Sequence, residues 1–391
     1  MNKLSNKTLS ITMAALLLSG VAFSVSKTSS AFASAPQEFS LPDLQDIKTL
    51  KHIKKIESLK LSGNKDEQNQ SVKDYLSKLN SKELLETAAE IAEIDKDNFE
   101  KSAMIVVPYI KKKWGNTPPS DAIKVVKDKK YDSKFRIFVL DGMTMLGNEK
   151  VVDSASIIED LKLIATDTSE DKNLRRYALL KLRKSGEINH AKLQLASIVN
   201  NESEPAEIRG AALTAMRRTE DPELNTSLQI IISNADKYEG IVLRHAMVES
   251  AKNGSIKQYI HAIKKIAETT NDYEVYQSAI YALGLSGGLD EIKAITSVYG
   301  AHNNKDICNF ALRKNENTVL SMLSLNQSKE TIISGIKAAK LANIPSAIPL
   351  LNEIKSNSKD QEILNEIKSA TDTIDINNKI NGDVQKKWEE K

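Results

Sequence analysis

LRRYALLKLRKSG (174–186), IRGAALTAMRRTEDP (208–222) and LRHAMVESAKNG (243–254) follow one pattern: an apolar residue, an arginine, a small-residue and apolar face, then a helix breaker. The pattern recurs outward as FRIFVLDGMTMLG (135–147), VYQSAIYALGLSGG (275–288), ICNFALRKN (307–315) and, more weakly, IISGIKAAKLANIP (332–345). The second residues of these copies are Arg136, Arg175, Arg209, Arg244, Tyr276, Cys308 and Ile333, giving steps of 39, 34, 35, 32, 32 and 25 residues. Small residues recur three and six positions after the anchors, as in Ala178, Ala212 with Ala215, Ala279 with Ala282, Ala311 and Ala339. Such positions share one helical face, and small side chains there let a neighbouring helix approach closely.

Each copy breaks at Gly147, Gly186, Asp221-Pro222, Gly254, Gly287 or Asn343-Ile344-Pro345. Glycine ends a helix by adopting the left-handed conformation, and proline suits the first turn of the next. A second apolar-periodic run follows: AKLQLASIVN (191–200), LNTSLQIIISNA (224–235), IKQYIHAIKKIA (256–267), LDEIKAITSVY (289–299) and SAIPLLNEI (346–354). No segment alternates with period two over enough residues to suggest a sheet. The expected fold is therefore all-α, an α-α superhelix of about seven helical pairs with an N-terminal helical cap.

This pattern resembles the HEAT-repeat superfamily, particularly the bacterial units called phycobilisome-lyase-like HEAT repeats. The resemblance covers about residues 132–356 and is clear in five units; the sixth is short and the seventh has Ile333 at its anchor. It implies a HEAT-like solenoid in which Arg136, Arg175, Arg209 and Arg244 bond neighbouring repeats, and by itself it implies no activity. Some HEAT-type iron enzymes, the deoxyhypusine hydroxylases, carry His-Glu dipeptides at repeat positions. This chain has no such dipeptide.

The flanks read as helical too. LQDIKTLKHIKKIESLKL (44–61) spaces Leu44, Ile47, Leu50, Ile53, Ile56 and Leu59 three apart, and Asn80 with Glu83 has the spacing of a capping box. Pro108 should kink or restart the helix in 99–114, and GNTPPS (115–120) is the strongest breaker in the chain. The expected organisation is a signal peptide at 1–33, an N-terminal helical region at 41–115, the repeat solenoid at 120–356 and a C-terminal helical cap or tail at 357–391. A separate bundle of three or four helices is the alternative for 41–115.

The first 33 residues, with a basic start, the apolar run LSITMAALLLSGVAFSV and a small-residue exit at Ala31-Phe32-Ala33, read as a secretory signal peptide cleaved near Ala33. An uncleaved anchor is the alternative, but the apolar run falls short of the ~20 residues a spanning helix needs. The expectation is a secreted or cell-envelope-associated protein that does not span a membrane after cleavage. Lys3, Lys7 and Lys27 are the only charged side chains before Ser34, so removing them from 55 basic residues leaves 52, equal to the 52 acidic ones. A nucleic-acid partner is not expected, because nothing remains to release counterions from phosphates. One cysteine, Cys308, excludes an internal disulfide framework, and a buried, inert thiol is expected there.

GLSGG (284–288) matches G-x-S-x-G with Ser286 as nucleophile, a motif that works only on a strained turn between a strand and a helix. Here it follows a helical run and occupies the slot of the repeat's turn. The five histidines, His52, His190, His245, His261 and His302, show no metal-binding spacing. Trp114 and Trp388 are too dispersed from the tyrosines to form a stacking platform. No cofactor, no metal and no catalytic residue are expected. The remaining site candidates are polar positions on the second helices: His190 with Gln194, Asn225 with Gln229, and Gln258, His261 and Lys265 at i, i+3 and i+7. The expected function is a non-catalytic scaffold whose concave ridge binds a protein partner, such as a secreted enzyme or toxin. Envelope or anionic-wall association through Lys111–Lys113 is the alternative, with a helical-repeat lyase or hydrolase third.

Overall fold

The computed structural model describes residues 51–60, 65–94, 103–114, 120–145, 155–182, 192–302 and 305–389. The expected signal peptide and residues 41–50 lie outside them. Twenty α-helices and no strand occur among the described residues, so the fold is all-α. No described helix is long and apolar enough to cross a membrane. The packing divides into two compact units, one ending at Pro222 and the other running from Glu223.

In the N-terminal unit α1 (Lys51–Lys60), α2 (Lys65–Lys78), α3 (Ser81–Ile94) and α4 (Val107–Trp114) precede three helix pairs. Asn80 and Glu83 form the capping box reciprocally, each backbone N–H meeting the other's side-chain oxygen at 2.9 and 3.0 Å. Pro108 sits at the second position of α4, where a missing N–H costs no helical bond. The pairs are α5 (Ser120–Lys127) with α6 (Ser133–Met145), α7 (Ala155–Thr166) with α8 (Lys172–Lys181), and α9 (Lys192–Asn200) with α10 (Ala206–Arg218). The arginine-bearing helices α6, α8 and α10 pack one on the next.

A single arginine geometry recurs through this unit. Arg136 of α6 donates through Nε to the Val126 carbonyl near the end of α5 at 2.7 Å, and through both terminal nitrogens to Glu170 at 2.8 and 2.6 Å. Arg175 of α8 does the same with Ala165 O at 3.0 Å and Glu204 at 3.0 and 2.8 Å. Arg209 of α10 donates through Nε to Val199 O at 2.9 Å. All three reach ten residues back to carbonyls that a helix C-terminus leaves without an intrahelical donor. Glu170 and Glu204 lie in the turns just before α8 and α10, so each buried guanidinium holds three elements together. Exposed pairs repeat the direction: Lys127 with Asp160, Lys129 with Asp167, and Lys172 with Glu207. One pair runs the opposite way, Lys181 and the Tyr177 hydroxyl both donating to the buried Asp141.

The C-terminal unit continues with first helices α12 (Gly240–Lys252), α14 (Tyr273–Ser286), α16 (Asp306–Lys314), α18 (Lys329–Ala342) and α20 (Gln361–Glu389). Each packs on the next. Its second helices α11 (Leu224–Ser233), α13 (Ile260–Thr269), α15 (Leu289–Ser297) and α17 (Glu316–Met322) follow one another in the same order, and α19 (Ile348–Asn357) packs on α20. Ala279, Ala282, Ala311 and Ala339 are buried at these helix contacts. A Cβ placed on Gly284 would lie 2.7 Å from that of Ala311, which measures how closely α14 and α16 approach.

The turns after the first helices use the left-handed region. Gly254 and Gly287 have φ of 79° and 65°, while Glu220 and Asn343 adopt 55° and 50° despite having side chains. Behind Glu220 and Asn343, Asp221 N–H bonds Met216 O at 2.8 Å and Ile344 N–H bonds Ala339 O at 3.0 Å, the wrap that satisfies carbonyls at a helix end. One run differs from the sequence expectation. The run 256–267, read as one helix, is a 3-10 turn at Ile256–Gln258 followed by α13, with a break at the buried Tyr259. Within the region read as a C-terminal helical cap or tail, α20 runs as one helix to Glu389.

Candidate functional site

The helix pairs of the C-terminal unit bring part of the expected ridge together. Asn225 and Gln229 lie on α11, and His261 and Lys265 lie four apart on α13; all four are exposed. Asn225 Oδ1 accepts from Asn253 Nδ2 at 2.7 Å, and the Asn225 carbonyl accepts from the Tyr259 hydroxyl at 3.3 Å. These two bonds fix the start of α11 against the segment leading into α13. The core side of that segment is Ile256, Tyr259, Ile263 and Ile266, all buried, so the polar residues between them face solvent.

Gln258 is exposed but belongs to the 3-10 turn rather than to α13. It therefore does not share an uninterrupted α-helical row with His261 and Lys265. His190 lies outside the described residues, as does the side chain of Gln194 on α9. Lys257 is a further exposed cation of the same segment. Like Gln258 it lies on the 3-10 turn, so its spacing of four from His261 does not place it on an α-helical row with His261 and Lys265.

The arginine anchors occupy different surroundings from this ridge. Arg136, Arg175 and Arg209 are buried between helices, and Arg244 of α12 pairs with Glu274 of α14. At the next anchor Tyr276 replaces arginine, its hydroxyl 3.2 Å from the Sγ of Cys308, the anchor after it. Burial pushes the Cys308 thiol up from its ordinary value, and the Tyr276 hydroxyl also titrates above its normal range because it is buried. A thiol held neutral is a poor nucleophile.

Ser286 is the last residue of α14, followed by Gly287 in the left-handed conformation. Its hydroxyl donates to Glu291 Oε1 at 2.6 Å, and Glu291 is buried. The turn is clamped from α16 and α17, where Asn315 donates to Gly284 O at 2.7 Å and Thr318 to Gly287 O at 2.9 Å. This is a turn between helices, without the strand the nucleophile motif requires. His245 is buried in α12 while His261 is exposed on α13. Among the described residues no group of three or more His, Cys, Asp or Glu is placed to hold a metal ion. Lys112 and Lys113 on α4 are exposed, and the Lys111 side chain lies outside the described residues.

No model of a known protein family matches the chain, and a comparison with curated proteins finds no match.

Proposed function

We propose that the chain is an exported, non-catalytic scaffold, built as a HEAT-like superhelix, whose second-helix surface holds a protein partner. The export rests on the basic-apolar-small pattern of residues 1–33. The superhelix reading is supported by the recurrence of one arginine geometry at Arg136 and Arg175, each joining its helix to the turn before the next first helix. The observation that carries the binding reading is the exposed polar surface of α11 and α13, where Gln229, His261 and Lys265 stand on neighbouring helices above a buried apolar side. Stacked helical pairs offer such surfaces for wide contact without catalytic groups.

The test is capture of a protein from the native culture supernatant by the immobilised chain and by a Gln229→Ala/Lys265→Glu variant with an unchanged melting profile. Capture by the parent and loss in the variant is the expected result; equal capture discards this surface. A second reading draws on the exposed Lys112 and Lys113 of α4, which suit an anionic wall polymer. Retention on purified cell walls that falls steeply with salt supports it, and salt-independent retention removes it.

A further inference from the structure

The dipeptide Asn-Gly occurs twice in the chain, at Asn253-Gly254 and Asn381-Gly382. The second lies inside α20, where the backbone N–H of an interior residue is held by the carbonyl four residues back. The first stands in the turn that ends α12, and both of its residues are exposed. Gly254 has φ of 79°, and its Cβ position is open, with nothing from elsewhere in the fold within 4 Å. Its N–H meets the Ala251 carbonyl at 3.2 Å, a bond of an exposed turn that opens locally at small cost. The Asn253 side chain donates through Nδ2 to Asn225 Oδ1 at 2.7 Å and to Ser255 Oγ at 3.4 Å.

We propose that Asn253 is a site of self-modification, which converts to aspartate and isoaspartate in the folded chain and thereby loosens the start of α11. The Gly254 backbone nitrogen attacks Asn253 Cγ and forms the N–C bond of a cyclic succinimide. The Cγ–Nδ2 bond breaks, and Nδ2 leaves as ammonia with the proton that the backbone nitrogen gives up. Water then adds to either succinimide carbonyl, and the opened ring is aspartate or isoaspartate. Asparagine is one of the thermolabile side chains, and glycine sets no Cβ beside the attacking nitrogen. With ψ at −11°, Asn253 has to rotate before that nitrogen reaches its Cγ, so the bonds to Ala251 O and Asn225 Oδ1 open first. The product has no Nδ2 donor and turns a carboxylate toward Asn225 Oδ1, so attraction at that contact becomes repulsion. The Tyr259 hydroxyl still bonds the Asn225 carbonyl, so α11 loosens without detaching. This chemistry is independent of what the second-helix surface binds.

The full chain is held at mildly alkaline pH, native and in denaturant, and sampled over time for peptide mapping by mass spectrometry, which reads asparagine, aspartate and isoaspartate separately at 253 and 381. In the native chain Asn253 should convert at no less than about a hundredth of its denatured rate, as a locally opening turn allows. Asn381, held within α20, should fall further below its own denatured rate. Gly254→Ala should slow conversion at 253 about tenfold in denaturant, where only the crowding of the attacking nitrogen differs. Asn225→Ala, which frees the Asn253 side chain, should speed native conversion about fivefold, the weight of one net hydrogen bond. Asn253→Asp should exchange the amide hydrogens at the start of α11 faster than the parent. A native rate at Asn253 below that hundredth, a smaller retained share than at Asn381, or equal rates in Gly254→Ala and the parent overturns the proposed site. Unchanged conversion in Asn225→Ala, or α11 exchange in Asn253→Asp that matches the parent, overturns its coupling to α11.

Discussion

Gly254 and Gly287 occupy equivalent turns with similar φ, yet their surroundings differ. Nothing lies within 4 Å of where a Cβ on Gly254 would be, whereas one on Gly287 would collide with Asn315, whose side chain clamps the turn from across α16. Gly254→Ala should therefore lose only the left-handed penalty, about 1–2 kcal/mol. Gly287→Ala should lose clearly more in the same denaturant titration, and equal losses would mean that the clamp carries no stability. Cys308 gives a second check at this scale. Fully buried and bonded to the Tyr276 hydroxyl, its thiol should react with an aromatic disulfide reagent at least about a hundredfold more slowly in the native chain than in denaturant. Rapid stoichiometric reaction without denaturant would contradict that packing. The burial of Cys308 was legible from its apolar context. The contact of Tyr276 with Cys308 was not, because it joins two copies in which another residue stands in place of the arginine.

Between elements, the carboxylates of the N-terminal unit hold the helix pairs. The Arg136 guanidinium bonded to Glu170 holds that carboxyl below the ordinary value of 4.5. Asp167, bonded to Lys129 and to Ser169, is likewise lowered. A carboxyl depressed in the folded state contributes stability that is present above its unfolded value and is lost as pH falls through the folded one. The N-terminal unit should therefore lose stability as pH drops below about 4, read by the fluorescence of the buried Trp114 in a Trp388→Phe background. Glu170→Gln should be less stable near neutrality and less sensitive to acid in that window; an acid profile identical to the parent would remove Glu170 from this role. The sequence made the helices readable because their small residues and breakers are local signals. It did not reveal the acidic partners, since Glu170 and Glu204 stand 34 and 29 residues beyond their arginines in polar turns with no fixed spacing. The 3-10 turn before α13 was equally hidden, because Ile256, Tyr259 and Ile263 keep an apolar period that suits a continuous helix.

At the scale of the molecule, one cationic position per helix pair of the N-terminal unit recurs with one bonding pattern through α6 and α8, and Arg209 repeats its backward half in α10. The division of the packing after Pro222 was not readable from the repeat, whose period runs through that point without a change in composition. The expected polar ridge was readable only in part: Gln229, His261 and Lys265 are placed on neighbouring second helices, while Gln258 falls on a separate turn. The central claim is that an arginine at a fixed place in one pair holds the turn of the next. A double-mutant cycle on Arg175→Met and Glu204→Gln, measured by denaturant unfolding of the full chain, tests it most directly, with Arg175→Met and Glu207→Gln as the uncoupled comparison. The expected coupling between Arg175 and Glu204 is about 2 kcal/mol or more; a value within about 0.5 kcal/mol of zero, matching the comparison pair, would contradict the account.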